Sequence, residues 1–237
     1  MKTLALALLL ATPLAAQISV KPADAIVPVV GSTRGQSNAN FKTELQMANG
    51  TDLPMAGWLV LRPQGAFRRY ELAPHTTLSF ADVVADLGAT GLGSIDVLVD
   101  RGLVPTIVAR AYDDQPDGTT GVTVPAIPIG SVLSGVDVAT LIVPRDLTRY
   151  RFNIGVRALN DGATLALIVR SSAGAELFRR TVTFDEDHFE QQPGNTFTGT
   201  TLHPDDSIAI RVVAGSAVVY ATTVDNQTND SSLQIAR

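Results

Sequence analysis

"GSIDVLVDRGLVPTIVARAYDD", residues 93–114, has a counterpart in "DSIAIRVVAGSAVVYATTVDN", residues 206–226. Both begin at Ser-Ile, pass through a Gly turn and close on Asp, in the same order. From residue 17 onward the chain alternates at period two and is broken by Gly, Pro, Asn and Asp, which is the pattern of half-buried strands between turns. A unit that recurs in this way predicts an internal duplication.

Reading outward from this pair extends the correspondence. In "FKTELQM" (41–47), Phe41, Thr43, Leu45 and Met47 fall on one face and Lys42, Glu44 and Gln46 on the other. In "RFNIGVRAL" (151–159), Phe152, Ile154, Val156 and Ala158 read as inward, Asn153 and Arg157 as outward. Each run meets an Asn-containing turn, Asn49-Gly50 or Asn160-Asp161-Gly162, before "AGWLVLRP" (56–63) or "ATLALIVRSS" (163–172). About seven short strand-like runs per half predict an all-β chain of two tandem antiparallel β-sandwiches. The expected boundaries are 17–124 and 137–237, with the Pro- and Gly-bearing "PAIPIGSVLSGV" (125–136) as linker. One short helix is expected in the first sandwich, in "SFADVVADLG" (79–88), with Ser79 as N-cap, a Val83/Val84/Leu87 stripe and Gly88 as stop. The matching "DEDHFEQQPGNTFTG" (185–199) shows no helical pattern.

The 237 residues are 45% apolar and 17% charged, enough for a packed core, and the net charge of −5 without a Lys/Arg cluster argues against nucleic-acid or anionic-membrane surfaces. Residues 1–16 carry Lys2, an apolar run from Leu4, Pro13 and small residues at Ala15 and Ala16, the layout of a secretory signal peptide cut after Ala16. The run is too short for a membrane span, and no other segment approaches that length. With no Cys in the chain, disulfides, thiolate metal sites and Cys-linked lipids are excluded. The expected setting is export, to periplasm, cell surface or medium.

Candidate chemistry is sparse. The two strand exits place Asp113, Asp114 and Asp117 in one turn and Asp225, Asn226, Asn229 and Asp230 in the other, and such oxygens are what Ca²⁺ takes. The spacing of a calcium loop is absent, and Asp and Asn also serve turns by capping backbone N–H groups. Of the three histidines, His188 is the binding or acid–base candidate because it lies among Asp185, Glu186, Asp187 and Glu190; His75 and His203 read as turn residues. The opposing reading of His188 is a charged edge strand with Phe189 inward. "VVGSTRG" (29–35) lacks the ending of a phosphate loop, and no G-x-S-x-G occurs. Trp58, the only Trp, sits in a strand with core-like alternation. The Asn-x-Ser/Thr triplets at Asn49, Asn226 and Asn229 are sugar acceptors in a eukaryotic secretory pathway and plain turn residues otherwise.

"IVPVVGSTRGQSNANFKTELQMANGT" (26–51), "GSIDVLV", "RFNIGVRALNDGATL" (151–165) and "TTVDNQTNDSS" resemble exported bacterial tandem Ig-like β-sandwich repeat proteins of uncharacterised function. The resemblance spans nearly all of the chain after residue 16 and implies an Ig-like fold and an envelope or extracellular setting. It carries over no active site. The sequence therefore predicts a non-enzymatic protein without a cofactor, unless calcium, that engages a protein or glycan at the cell surface. The alternative is a carbohydrate-binding or polysaccharide-acting module supported by Ca²⁺.

Overall fold

The structure is a computed structural model; it describes residues 22–36, 38–135 and 137–237, so residues 1–16, read as a signal peptide, lie outside it. The first half comprises β1 (Ala25–Arg34), β2 (Asn40–Ala48), β3 (Met55–Arg62), β4 (Phe67–Leu72), β5 (Thr77–Phe80), α1 (Val83–Asp86), β6 (Gly91–Arg101), β7 (Thr106–Gln115) and β8 (Gly118–Val124). Every pairing is antiparallel. One layer runs β4-β3-β6-β1 and the other β5-β2-β7-β8; β1 belongs to both, pairing with β6 and, through Thr33 and Arg34, with β2. Alternation explains the core: Leu45 and Met47 from one layer meet Leu59, Leu61, Ile95 and Val97 from the other, all fully buried.

After the connection, β9 (Ile127–Pro128) and β10 (Leu133–Ser134), come β11 (Val138–Ile142), β12 (Tyr150–Arg170), β13 (Glu176–Phe184), β14 (Phe189–Pro193), α2 (Gly194–Thr198), β15 (Ser207–Asp225) and β16 (Ser231–Ile235). Their pairing repeats that of the first half. The start of β12 pairs with the end of β15, as β2 does with β7, and the end of β12 with the start of β15, as β3 does with β6. β13, β14, β11 and β16 flank this pair of strands as β4, β5, β1 and β8 flank theirs. The chain is thus all-β and built of two-layered antiparallel sandwiches.

Three expectations change. The runs of the second half are not all short: β12 has 21 residues and β15 has 19. At their common bend the ladder passes from Ala158↔Ala217 to Ala163↔Gly215, and Gly162 (φ +66°) and Gly215 (φ +71°) lie side by side. A Cβ on Gly215 would sit 2.1 Å from the Gly162 carbonyl oxygen, so both the left-handed backbone and the close approach require glycine. Secondly, residues 194–198 do form a helix, α2, anchored by buried Phe197 and closed by left-handed Gly199. No side chain caps its start, so the sequence carries no start signal. Thirdly, Asp82 rather than Ser79 caps α1, accepting from Ala85 N at 3.3 Å; Ser79 is in β5.

The 125–136 stretch is also more than a linker. β9 adds to β1 and β10 to β15, while Ile127 packs in a small cluster with Ile26, Leu159 and Val218. Buried Phe189 and Tyr220 of the second half join the core of the first, and β16 lies against β8. No helix among the described residues is long and apolar enough to cross a membrane.

Candidate ligand cleft at the junction

Because β12 alternates, its two faces have different fates. Phe152, Ile154 and Val156 enter the second core, while Arg151, Asn153, Gly155 and Arg157 turn toward the first half. The outward assignment of Arg157 did not anticipate this cover: Arg157 is 1% exposed. A buried cation needs partners. Its Nη2 donates to Asp96 Oδ2 at 2.7 Å and Asp187 Oδ1 at 3.0 Å. Arg62 completes a ring of charges, with Nε 3.0 Å from Asp96 Oδ2 and Nη1 2.9 Å from Asp187 Oδ2. Arg62 and Asp96 belong to the first half, Arg157 and Asp187 to the second, so the ring locks the two together. Only about 10 Å³ of free space remains beside it and the connection.

Further along the same face, Tyr220 lies across Gly155, its cross-strand partner, and donates from its hydroxyl to Gln191 Oε1 at 3.0 Å on β14. A similar glycine–tyrosine pair, Gly57 and Tyr70, lies on β3 and β4 of the first half, with the Tyr70 hydroxyl donating to Leu98 O at 3.2 Å. Burial pushes the Tyr70 phenol up to about 12 and raises that of Tyr220 as well. A phenol that ionises less readily when folded adds stability present below its unfolded value of about 10 and lost as pH rises through the folded one. Phenolate absorbance of the folded protein at about pH 11 is therefore expected to fall short of all four tyrosines, and the unfolding free energy to decline between about pH 10 and 12. Complete ionisation of a still-folded chain at about pH 11 would contradict the burial.

At the far end, Arg151 donates to Asn226 Oδ1 at 3.0 Å and Asn229 Oδ1 at 3.1 Å. Asn229 in turn donates through Nδ2 to Asp113 Oδ2 at 3.1 Å. The two Asp/Asn-rich exits therefore meet each other across the junction. Buried Asp113 also accepts from Asn40 N at 2.6 Å and Gln115 Nε2 at 2.8 Å. Its neighbour Asp114 points to the other side of β7 and pairs with Lys42 Nζ at 2.7 Å, while Asp117 is exposed in the hairpin turn. Backbone N–H groups, first that of Gln227, and then the Arg149 guanidinium hold the Asp225 carboxyl below the usual carboxylate range. Asp230 caps Ser231 N at 3.0 Å. The candidate calcium oxygens are thus spread over opposite faces and, apart from those of exposed Asp117, engaged by donors; among the described residues no three His, Cys, Asp or Glu side chains gather as a metal site.

Between the Arg157 ring and the Arg151 link the halves leave a cleft of about 350 Å³, within the usual size of small-molecule sites. Val29, Phe41, Leu92, Val122 and Val224 supply apolar wall; Asn153 and Thr222, register partners, supply a polar floor. "VVGSTRG" forms one rim as the end of β1. Thr222 is 9% exposed and its Oγ1 has no hydrogen-bond partner. Period-two reading places Thr222 on a face but gives no sign that a second sandwich covers that face, so the cleft escaped the sequence.

His188 lies elsewhere, in a second concavity of about 440 Å³ on the second sandwich. Its ring is 5.2 Å from that of Phe184 and its Nε2 is 3.4 Å from Glu190 Oε2. Phe189 points away, into the core of the first half. Trp58 is not core: it lies half-buried on the outer face of β3, donates to Asp100 Oδ2 at 3.0 Å and lies under Arg69. Arg69 also bonds Glu71, so both carboxylates beside this aromatic are neutralised. The carboxamide nitrogen of Asn49, at a sugar-acceptor triplet, is buried in bonds to the carbonyls of Leu53, Leu72 and Ala73. His75 occupies its turn beside Asp52, and His203 lies beside Asp206.

Fold and site together define an all-β protein of two sandwiches with a cleft at their junction. The chain matches no protein-family model and no curated protein.

Proposed function

We propose that the chain is an exported, non-enzymatic binding protein of the cell surface or its surroundings, and that the junction cleft is its recognition site. The observation that carries this reading is the buried Thr222 hydroxyl, left without a partner on the floor of a largely apolar cleft. Buried polar groups are nearly always bonded, and one that is not, in a concave site, favours a ligand that completes it. Among the described residues the cleft lining has no Asp, Glu or His, and its one lysine, Lys42, is paired with Asp114, which favours binding over turnover.

Incubating the full chain with envelope extract and with an arrayed glycan set is expected to give specific retention that Ser231→Trp, at the cleft rim, abolishes. Retention indifferent to this tryptophan, or chemical conversion of a retained ligand, would count against the reading. Carbohydrate binding draws separate support from the second concavity, where Thr181, Thr183 and Thr196 offer hydroxyls beside Phe184 and His188. Glycan retention lost in His188→Ala but kept in Ser231→Trp would favour that alternative.

A further inference from the structure

We propose that the cleft selects a small amphipathic anion, a single apolar chain ending in a carboxylate or phosphate head. The inference rests on the reading of the cleft as a binding site and adds the chemistry of its occupant.

Charge is the first argument. Arg34, Lys42 and Arg151 line the cleft and no Asp or Glu does, although the chain as a whole carries −5. Lys42 is matched by Asp114 at 2.7 Å. Arg151 is held only by the neutral carboxamides of Asn226 and Asn229, which fix the guanidinium without neutralising it. Arg34 has no carboxylate partner among the described residues. A positioned guanidinium short of a counter-charge is what carboxylate and phosphate oxygens seek.

Position is the second. Thr222 pairs with Asn153 across the ladder, and Arg151 is the next residue of β12 on that face. Neighbours of this kind are within about 4.5–8 Å, close enough for one anionic head between them to accept from more than one. The head thus receives charge from Arg151 and an amide from Asn153, and a turn of the Thr222 side chain about χ1 brings its buried, unpartnered hydroxyl to the head. Beyond them Phe41, Leu92 and Val122 line the space a tail would fill. A wholly apolar ligand would leave Thr222 unpaired, and a fully polar one would meet these walls without gain.

Calorimetric titration of the full chain with sodium decanoate, decyl phosphate and decanol tests this. Both anions, or whichever one matches the head site, are expected to bind at least about tenfold tighter than decanol, the usual worth of one charged hydrogen bond. Thr222→Val is expected to weaken the anion by about tenfold while leaving thermal stability unchanged or raised, since it removes an unpartnered hydroxyl. Arg34→Gln, which breaks no side-chain hydrogen bond or ion pair among the described residues, is expected to weaken the anion and not decanol. Equal binding of all three probes overturns the anion selectivity but leaves the cleft as a binding site. Binding of none overturns both readings. A Thr222→Val protein that is less stable yet binds unchanged assigns Thr222 to structure and overturns the head site.

Discussion

An Arg157→Ala chain is expected to lose about 3–5 kcal/mol of unfolding free energy, the usual result of removing one partner from a buried ion pair. The loss comes less from the contact than from what remains: Asp96, its side chain 5% exposed, would keep only Arg62, and Asp187 would lose one of its two cations. Because the ring spans both halves, the loss also loosens the junction. Urea unfolding should show a lower midpoint and, if the halves part before they melt, a second transition. Exchanging Arg157 and Asp96 together for Met and Leu should recover much of the loss, since well-packed apolar substitutes for buried pairs are often neutral or stabilising. An Arg157→Ala protein within about 0.5 kcal/mol of the parent would show that the ring is an incidental contact.

Gly155→Ala is expected to be nearly as damaging, at about 3 kcal/mol. The new methyl would fall 2.0 Å from Tyr220 Cζ and 2.3 Å from its hydroxyl oxygen. Tyr220 is fully buried and held by Gln191, so it has no easy retreat; overpacking and a lost hydrogen bond add together. A strand glycine with a tyrosine laid over it also occurs at Gly57 and Tyr70, on β3 and β4, strands that correspond to the end of β12 and to β13, so the same packing device is used at two unrelated places in the fold. Adding Tyr220→Leu to Gly155→Ala should be far less costly than the sum of the two changes, a coupling that a double-mutant cycle reads directly. Strict additivity would show that the ring moves aside without difficulty.

What the sequence disclosed and what it withheld divide along one physical line. Features set by neighbours in the chain were legible: the two-face alternation of residues 41–47, the order of the repeated strands, and the Val83/Val84 stripe of α1. Features set by how one half lies on the other were not. Asp113 and Asn229 are 116 residues apart, and Asp96 and Arg157 are 61 apart; no periodicity connects them. Arg157 follows the outward rhythm correctly, but outward there means toward another sandwich and not toward water. Trp58 has the opposite history: the alternation of its strand reads as core-like, yet Trp58 itself lies half-buried on the outer face of β3. For α2 only the left-handed Gly199 offered a local cue, because Pro193 gives no capping side chain.

The bend shared by β12 and β15 has one more consequence. In the second sandwich the same two strands form the spine of both layers, so the layers cannot part like the covers of a book; a load on one is carried through the bend into the other. In the first sandwich only β1 passes between layers, and the remaining joints are loops. Under traction along the chain, the first unit is therefore expected to give way before the second, an order that single-molecule pulling reads directly.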